Sequence, residues 1–167
     1  MNQTTDLDEI RKQTRIALPS DNAYLFRLGV ALYAFNSVNS FLVEIICCID
    51  ENQKQTELLD LESGKILQKF TETIKYVKDN NLFSSAHGLM DEVAELFEKA
   101  NANRSDFVHS YPITNQQEKK QILHRRRDSQ GKYFEVDNCF LDEFIESLNH
   151  IEDLLHKIRE EVKSKNE

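Results

Sequence analysis

The longest apolar stretch in the chain runs from Tyr24 to Ile49. It follows Pro19, which stops any preceding helix, and Ser20, which is the predicted N-cap of the next helix. A helix from residue 20 to residue 50 would span about 45 Å. Because this stretch is apolar on most faces, it predicts a central helix contacted on several sides, and some of its partners could belong to a second subunit. Polar residues interrupt it, so we expect no membrane helix. Those interruptions are Arg27, Asn36, Asn39 and Glu44.

Three further segments have the amphipathic spacing of helices that pack with one face on a core. The first, residues 62–78, carries Ile66, Phe70, Ile74 and Val77 on one stripe. The second leads up to Arg104, and its stripe is Leu89, Val93, Leu96, Phe97 and Ala100. The third follows Asp137 or Asn138 as a cap, with a heptad pattern that we assign to packing within a bundle rather than to a coiled coil. Its apolar positions are Leu141, Phe144, Leu148, Ile151, Leu155, Ile158 and Val162.

The period changes between residues 121 and 137. Two short apolar runs there flank Asp128-Ser129-Gln130-Gly131, which is a favourable turn sequence. This pattern predicts a small β-hairpin inserted before the last helix. The predicted fold class is therefore all-α, a helical bundle with a long central helix and a hairpin at about 121–137. We expect a short or frayed helix in residues 1–19, one domain over residues 20–163 and a solvated tail at 164–167.

Composition agrees with long helices and few loops, since 167 residues include only 4 Gly and 2 Pro. The three cysteines lack the spacing of zinc ligands, so we expect reduced packing residues in a cytoplasmic protein and no metal or cofactor. The net charge of −8 disfavours indiscriminate binding to nucleic acid or anionic membranes. Charge is uneven, however. Residues 104–132 include seven basic and three acidic side chains, a net +4, which leaves −12 for the remainder.

The basic stretch begins at Arg104-Ser105-Asp106-Phe107-Val108-His109-Ser110-Tyr111, where the second amphipathic helix is predicted to end before Pro112. An arginine supplies a permanent positive charge and a histidine can move a proton near neutral pH. If the segment is helical, Ser105 and His109 are neighbours on one face, so the serine hydroxyl could orient the imidazole. Phe107 and Val108 are predicted core residues. The pair Arg104 and His109 is thus a candidate site for phosphodiester chemistry.

Structural roles for the same residues stay open. Arg104 could form a surface ion pair with Glu98 or Asp106. His109 could interact with the C-terminal end of the helix dipole when protonated. Spacing of this kind also arises by chance in a chain with eight arginines and five histidines.

The segment resembles the Arg-x4-6-His signature of the HEPN superfamily, through Arg104 and His109. This resemblance implies a helical bundle that often acts as a metal-independent ribonuclease in toxin–antitoxin or defence systems. Family members usually carry Asn, Asp or His directly after the arginine, where this chain has Ser105. The wider form Arg-x4-His-x-Tyr also fits, and in that class an antitoxin adds AMP to the tyrosine, which makes Tyr111 a candidate modification site.

The resemblance implies that Arg104 and His109 carry the reaction. Helix geometry adds two expectations: Ser105 orients the imidazole, and a homodimer supplies both histidines, because Arg104 and His109 lie about 140° apart around one helix. RNA would be the substrate, guided by a basic group, and a cognate antitoxin or defence protein would be a partner. That basic group is Arg125, Arg126, Arg127 and Lys132. The alternative is a non-catalytic HEPN-like binding module, such as an adaptor or immunity partner, which the acidity and Ser105 favour. A plain helical scaffold is the third interpretation.

Overall fold

The computed structural model describes the backbone of residues 3–115, 119–127 and 132–164, and side chains within 7–115, 119–125 and 135–164. The described chain is mostly helical with one small antiparallel sheet, so the all-α prediction is correct at that level. The helices are α1 Gln3–Gln13, α2 Asn22–Ile49, α3 Gln55–Leu59, α4 Ser63–Asp79, α5 His87–Val108 and α6 Asn138–Ser164. The strands are β1 Tyr111–Thr114, β2 Gln121–Arg127 and β3 Lys132–Val136.

Helix α2 begins one residue later than the predicted cap implied. Asp21, not Ser20, is the N-cap, and its carboxylate accepts hydrogen bonds from the backbone N–H groups of Ala23 (2.9 Å) and Tyr24 (3.1 Å). The bond from the Tyr24 N–H is the main reason that the pKa of Asp21 lies below its usual value. A carboxylate at this position also suits the positive end of the helix dipole, so Asp21 is the stronger cap of the two.

Helices α2 and α6 lie side by side and run in the same direction. Near their starts, Arg27 Nε lies 2.7 Å from Asp142 Oδ1, and near their ends Arg159 Nη1 lies 3.4 Å from Glu44 Oε1. The hydrogen bond to Asp142 raises the pKa of Arg27. Both charges of α2 are thereby directed at α6.

Helix α5 runs in the opposite direction to its neighbours α4 and α6. Lys78 at the end of α4 bonds Asp91 near the start of α5 at 2.7 Å. Just before α5, the Ser85 hydroxyl donates to Glu161 near the end of α6 at 2.6 Å. The end of α5 therefore lies at the same end of the bundle as the starts of α2, α4 and α6.

The predicted apolar stripes form the core. All of the assigned positions on α4 and α6 are buried, and Leu89 and Leu96 on α5 are partly buried beside the buried Val93, Phe97 and Ala100. The heptad of α6 is bundle packing against α2 and α5, as predicted. One core prediction is wrong. Val108 is 47% exposed, because α5 ends there and its last turn extends past the bundle.

Helix α2 is the only described helix that is long and apolar enough to cross a membrane by length and composition. Core helices of soluble proteins meet the same two criteria, so this finding is weak evidence for a membrane span. In this fold α2 contacts α3, α4, α5 and α6, as a central helix should.

The predicted hairpin is confirmed as β2 and β3, which pair antiparallel from Leu123 opposite Val136 to Arg127 opposite Lys132. Its predicted turn, residues 128–131, lies outside the described residues. A third strand, β1, was not predicted; it pairs antiparallel with the other edge of β2, in the order β1-β2-β3. Pro112 is compatible with β1, because an edge strand can lack one N–H donor.

Tyr24, in the first turn of α2, fastens this sheet to the bundle. Its hydroxyl donates to the carbonyl of Val136 at 2.8 Å and accepts from the N–H of Leu123 at 2.9 Å. These two residues are opposite each other at the end of the β2–β3 ladder, so the hydroxyl bridges the hairpin. Burial raises the pKa of Tyr24 and keeps the hydroxyl protonated.

Candidate active site at the end of α5

The candidate motif occupies the last turn of α5 and the residues that follow. His109 is the C-cap, with its N–H directed at the carbonyls of Phe107 and Ser105. Its imidazole is exposed to solvent. A protonated imidazole at this position interacts favourably with the helix dipole. The structure therefore gives His109 both the access that catalysis needs and the location that a purely structural role would have.

Arg104 is half-buried, five residues earlier on the same helix. Its guanidinium carbon lies 5.4 Å from the centroid of the Phe35 ring. That ring is 1% exposed and stacks on Phe97 at 5.6 Å, so it is a rigid platform. A cation–π contact of this kind stabilises by about 0.5–2 kcal/mol. The core of the bundle therefore positions the charge of Arg104, and neither of its predicted surface ion pairs is the contact observed.

Ser105 is linked to His109 through the backbone. The His109 N–H donates to the Ser105 carbonyl at 3.1 Å, which closes the last helical turn. The sequence predicted a side-chain hydrogen bond from the hydroxyl to the imidazole at this spacing. The observed link fixes the path of the chain at His109 and leaves the proposed orienting role of the Ser105 hydroxyl as a prediction.

Asp106 connects α5 to the sheet. It is buried, at 9% exposure, and its Oδ1 lies 3.2 Å from Nε of Arg125 on β2. An ion pair with this degree of burial is a strong local constraint, because removing one partner would leave the other charge in a poorly solvated position. Arg125 therefore has a carboxylate beside its guanidinium, and the positive field that it offers to RNA is reduced.

The remaining predicted RNA contacts lie further along the hairpin. Arg126 and Arg127 are the last two residues of β2, and Lys132 is the first residue of β3. Their side chains lie outside the described residues. What is established is their placement, on the sheet that continues directly from the end of α5.

Tyr111 and His124 form a pair on the sheet. They are directly opposite in the β1–β2 register, and His124 Nδ1 lies 3.2 Å from the Tyr111 hydroxyl oxygen. The two rings meet edge to face at 5.4 Å. Tyr111 is 47% exposed whereas His124 is buried, so the phenol faces solvent and is held from behind by an imidazole.

Sequence reasoning missed the roles of Asp106 and His124. The sequence suggests Asp106 only as a surface partner of Arg104 and indicates no role for His124. The sequence does carry a signal for His124. It is two residues from the apolar Ile122, so both side chains project from the same face of a strand. In the structure both residues are buried, at 8% exposure. Its pairing with Tyr111 depends on β1, which the sequence did not reveal.

Among the residues that the structure describes, no three His, Cys, Asp or Glu side chains are grouped so as to hold a metal ion. The cysteines in this part of the chain are unpaired, with Cys47 and Cys48 half-buried and Cys139 exposed. No family model, curated protein or solved structure matches the chain. The assignment of function therefore depends on the geometry described above.

Proposed function

We propose that the chain is a HEPN-like, metal-independent endoribonuclease that acts as a cytoplasmic toxin or defence effector. The observation that carries this proposal is the composition of the segment that ends α5. A cation held on the aromatic core and an exposed imidazole lie within one segment, and that segment leads directly into a basic sheet. Such groups suit a reaction that needs charge stabilisation and proton transfer.

In the proposed reaction the 2′-OH of RNA attacks the adjacent phosphorus and the P–O5′ bond breaks. The imidazole of His109 accepts the proton of the 2′-OH, and the imidazole of His109 in a second copy of the chain donates a proton to the leaving 5′-oxygen. Arg104 stabilises the negative charge of the crowded phosphoryl group. The products are a 2′,3′-cyclic phosphate and a 5′-hydroxyl, so no water and no metal ion enter this step.

The test is cleavage of single-stranded RNA by the wild type and by single variants, with EDTA present. His109→Ala is expected to lower the rate at least about 100-fold, in the usual range for loss of an acid–base group. Arg104→Ala is expected to lower it similarly. His150→Ala is the matched control, because His150 is an exposed histidine on α6 beside Glu92 and far from α5's end. Equal rates for wild type and His109→Ala would contradict the proposal.

The second candidate is a non-catalytic HEPN-like binding module, an adaptor or immunity partner. It is favoured by the pairing of Arg125 with Asp106, which reduces the charge available to RNA, and by Ser105 after the arginine. It predicts no RNA cleavage, and a stable complex with a cognate antitoxin or defence protein. Expression of the chain in growing cells distinguishes the two candidates. An active ribonuclease slows growth and the His109→Ala variant does not, whereas a binding module leaves growth unchanged in both forms.

Tyr111 fits the modification that the resemblance implies. Its phenol is exposed, and the imidazole of His124 is placed to accept or share its proton. Transfer of AMP from ATP by a partner enzyme would join the phenol oxygen to the α-phosphorus and release pyrophosphate. Mass spectrometry of the chain co-expressed with its partner would find the added AMP on Tyr111, and none in Tyr111→Phe.

A further inference from the structure

One face of α2 is turned to solvent and has the composition of a contact surface. At its start, Arg11 of α1 donates a hydrogen bond to Asn22 at 2.6 Å, and the rest of the face is open. The fully exposed residues of this 28-residue helix are uncharged, and its two charged side chains, Arg27 and Glu44, are partly exposed and paired with α6. Phe26 is 74% exposed and Tyr33 is 80% exposed, and they are seven residues apart on the same side. Only 39% of the most apolar window of α2 is buried within the chain. For a protein with 30% charged residues, an outer helix face without any charge is unusual.

The exposed positions follow a heptad. Six of them, which we call the outer seam, are Asn22, Phe26, Gly29, Tyr33, Asn36 and Ser40. The steps between them alternate between four and three residues, which is the spacing that lets one helix pack its side chains into the gaps of another. The outer seam therefore fits a helix rather than an irregular peptide or a flat surface.

We infer that the outer seam is the contact surface between two copies of this chain, with the two α2 helices antiparallel about a two-fold axis. In such a pairing centred on residue 31, residue 29 of each copy faces residue 33 of the other. A glycine thus meets a tyrosine twice. A Cβ added at Gly29 would have nothing within 4 Å, so the notch beside it is open to receive a ring. An isologous interface requires this kind of self-complementarity.

Charge supports a second copy as the occupant. The chain carries −8, so two copies repel unless they meet where neither presents a carboxylate. The six residues of the outer seam meet that condition because none is charged, and the carboxylate at its edge, Asp142, is paired with Arg27. A cationic partner would find the nearest carboxylate, Asp142, already paired with Arg27, and an anionic membrane would repel the chain as a whole.

The area is adequate. Phe26 and Tyr33 from two copies would together bury roughly 600 Å². Flanking apolar side chains, Leu25 and Leu32 on one side and Val30 and Ile145 on the other, extend the contact towards the roughly 1,000 Å² that a specific interface needs. The ion pair of Arg27 with Asp142 lies at the edge of this patch, as charged groups do at the rims of interfaces.

The outer seam is on the side of α2 opposite Phe35, which faces α5 through its contact with Phe97. A contact along α2 is therefore separate from a contact between two α5 ends. The inference goes beyond the proposed ribonuclease and does not depend on it. The outer seam alone gives a dimer, and the two contacts together give a D2 tetramer where their two-fold axes intersect at right angles.

The test is the mass of the full chain in solution, by light scattering and sedimentation equilibrium. Wild type is expected at two or four times the chain mass of 19.5 kDa. Tyr33→Glu is expected to halve that mass, and Gly29→Gln to do the same by filling the notch. Matched controls are Tyr76→Glu, an exposed tyrosine on α4, and Gly88→Gln, a helical glycine of α5 with equal space around it. Both controls should keep the wild-type mass.

A charge exchange tests the antiparallel register. Gly29→Glu and Tyr33→Lys chains should each have half the wild-type mass alone, and an equimolar mixture should recover the full mass, because residue 29 of one chain faces residue 33 of the other. Circular dichroism of every variant should show an unchanged helix content, since these side chains are exposed. His109→Ala should keep the wild-type mass, which separates this test from the test of RNA cleavage.

Three results would overturn the inference. They are a wild type of 19.5 kDa at all concentrations, a Tyr33→Glu variant with the wild-type mass, and a monomer that co-sediments with vesicles of phosphatidylcholine and phosphatidylglycerol through the outer seam. The last result would assign the seam to a lipid surface instead.

Discussion

Helices α2 and α6 are nearly equal in length, at 28 and 27 residues, and they lie in parallel, yet their outer faces have opposite character. On the inside both supply large apolar residues to one core. On the outside, α6 presents charged side chains along its whole length, namely Asp142, Glu143, Glu146, Asp153, Lys157, Glu160 and Lys163. The exposed positions of α2 include none, and its two charged side chains, Arg27 and Glu44, are partly exposed and paired with α6. Both helices have the same inner role, so the contrast must come from what each meets on the other side.

The outer face of α6 is suited to water, and we infer that the outer face of α2 is suited to another helix. A charged face keeps α6 hydrated and resists association. On α2, the rings of Phe26 and Tyr33 are exposed to water in the isolated chain, and burying them would contribute favourable free energy. The bundle alone explains the heptad of α6 but not the outer seam of α2. A surface that is costly in the isolated chain is therefore informative about its assembly.

The largest expected effect tests the claim that the inner faces are equivalent. Phe35→Ala on α2 and Phe144→Ala on α6 each remove a buried ring of the same stack. Both are expected to lower the free energy of unfolding by about 3–5 kcal/mol, from lost burial and the cavity left behind. Urea unfolding followed by circular dichroism measures this. A difference of more than 2 kcal/mol between the two would break the equivalence.

A smaller effect is expected where α2 holds the sheet. Tyr24→Phe removes the hydroxyl that bridges Leu123 and Val136 and leaves two backbone groups without that partner. The expected loss is about 1–3 kcal/mol of unfolding free energy. Tyr33→Phe, which removes an exposed hydroxyl from the same helix, should cost almost nothing at a protein concentration where the oligomer is kept. Equal stability of Tyr24→Phe and wild type would show that the bridge is not needed.

The smallest effect concerns the charges that join the two helices. Arg27 and Asp142 retain side-chain exposures of 32% and 56%, so water screens their attraction. A double-mutant cycle with Arg27→Met and Asp142→Asn should give a coupling below about 1 kcal/mol, decreasing with added salt. A coupling of several kcal/mol that is insensitive to salt would mean that the pair is buried by the second copy of the chain.

The sequence predicted the helices better than the sheet, for a physical reason. Helical stripes such as Ile66, Phe70, Ile74 and Val77 recur within a few residues, so their period is readable locally. Strand β1 has four residues, and Pro112 was interpreted as a helix stop. It forms because β2, about ten residues later, provides hydrogen-bonding partners. Such pairing depends on register, which a single strand's sequence does not encode.

The same limit applies to the candidate site. Arg104 and His109 could be located because both lie on one helix at a recognisable spacing. The partners of the motif could not, because Asp106 meets Arg125 only across an α5–β2 contact and Tyr111 meets His124 only across two strands. Val108 was misassigned because the end of α5 depends on where the bundle stops. Local patterns thus located the motif, while its surroundings are a property of the tertiary fold.

The hydroxyl of Tyr24 has a consequence for synthesis on the ribosome. Its acceptor, Val136, lies 112 residues further along the chain. The first long helix can therefore form early, but its leading end is not secured until the hairpin emerges much later. Contacts this distant in sequence slow folding, because a long loop must close before they stabilise anything. During that interval the apolar length of α2 is exposed to chaperones and to neighbouring nascent chains.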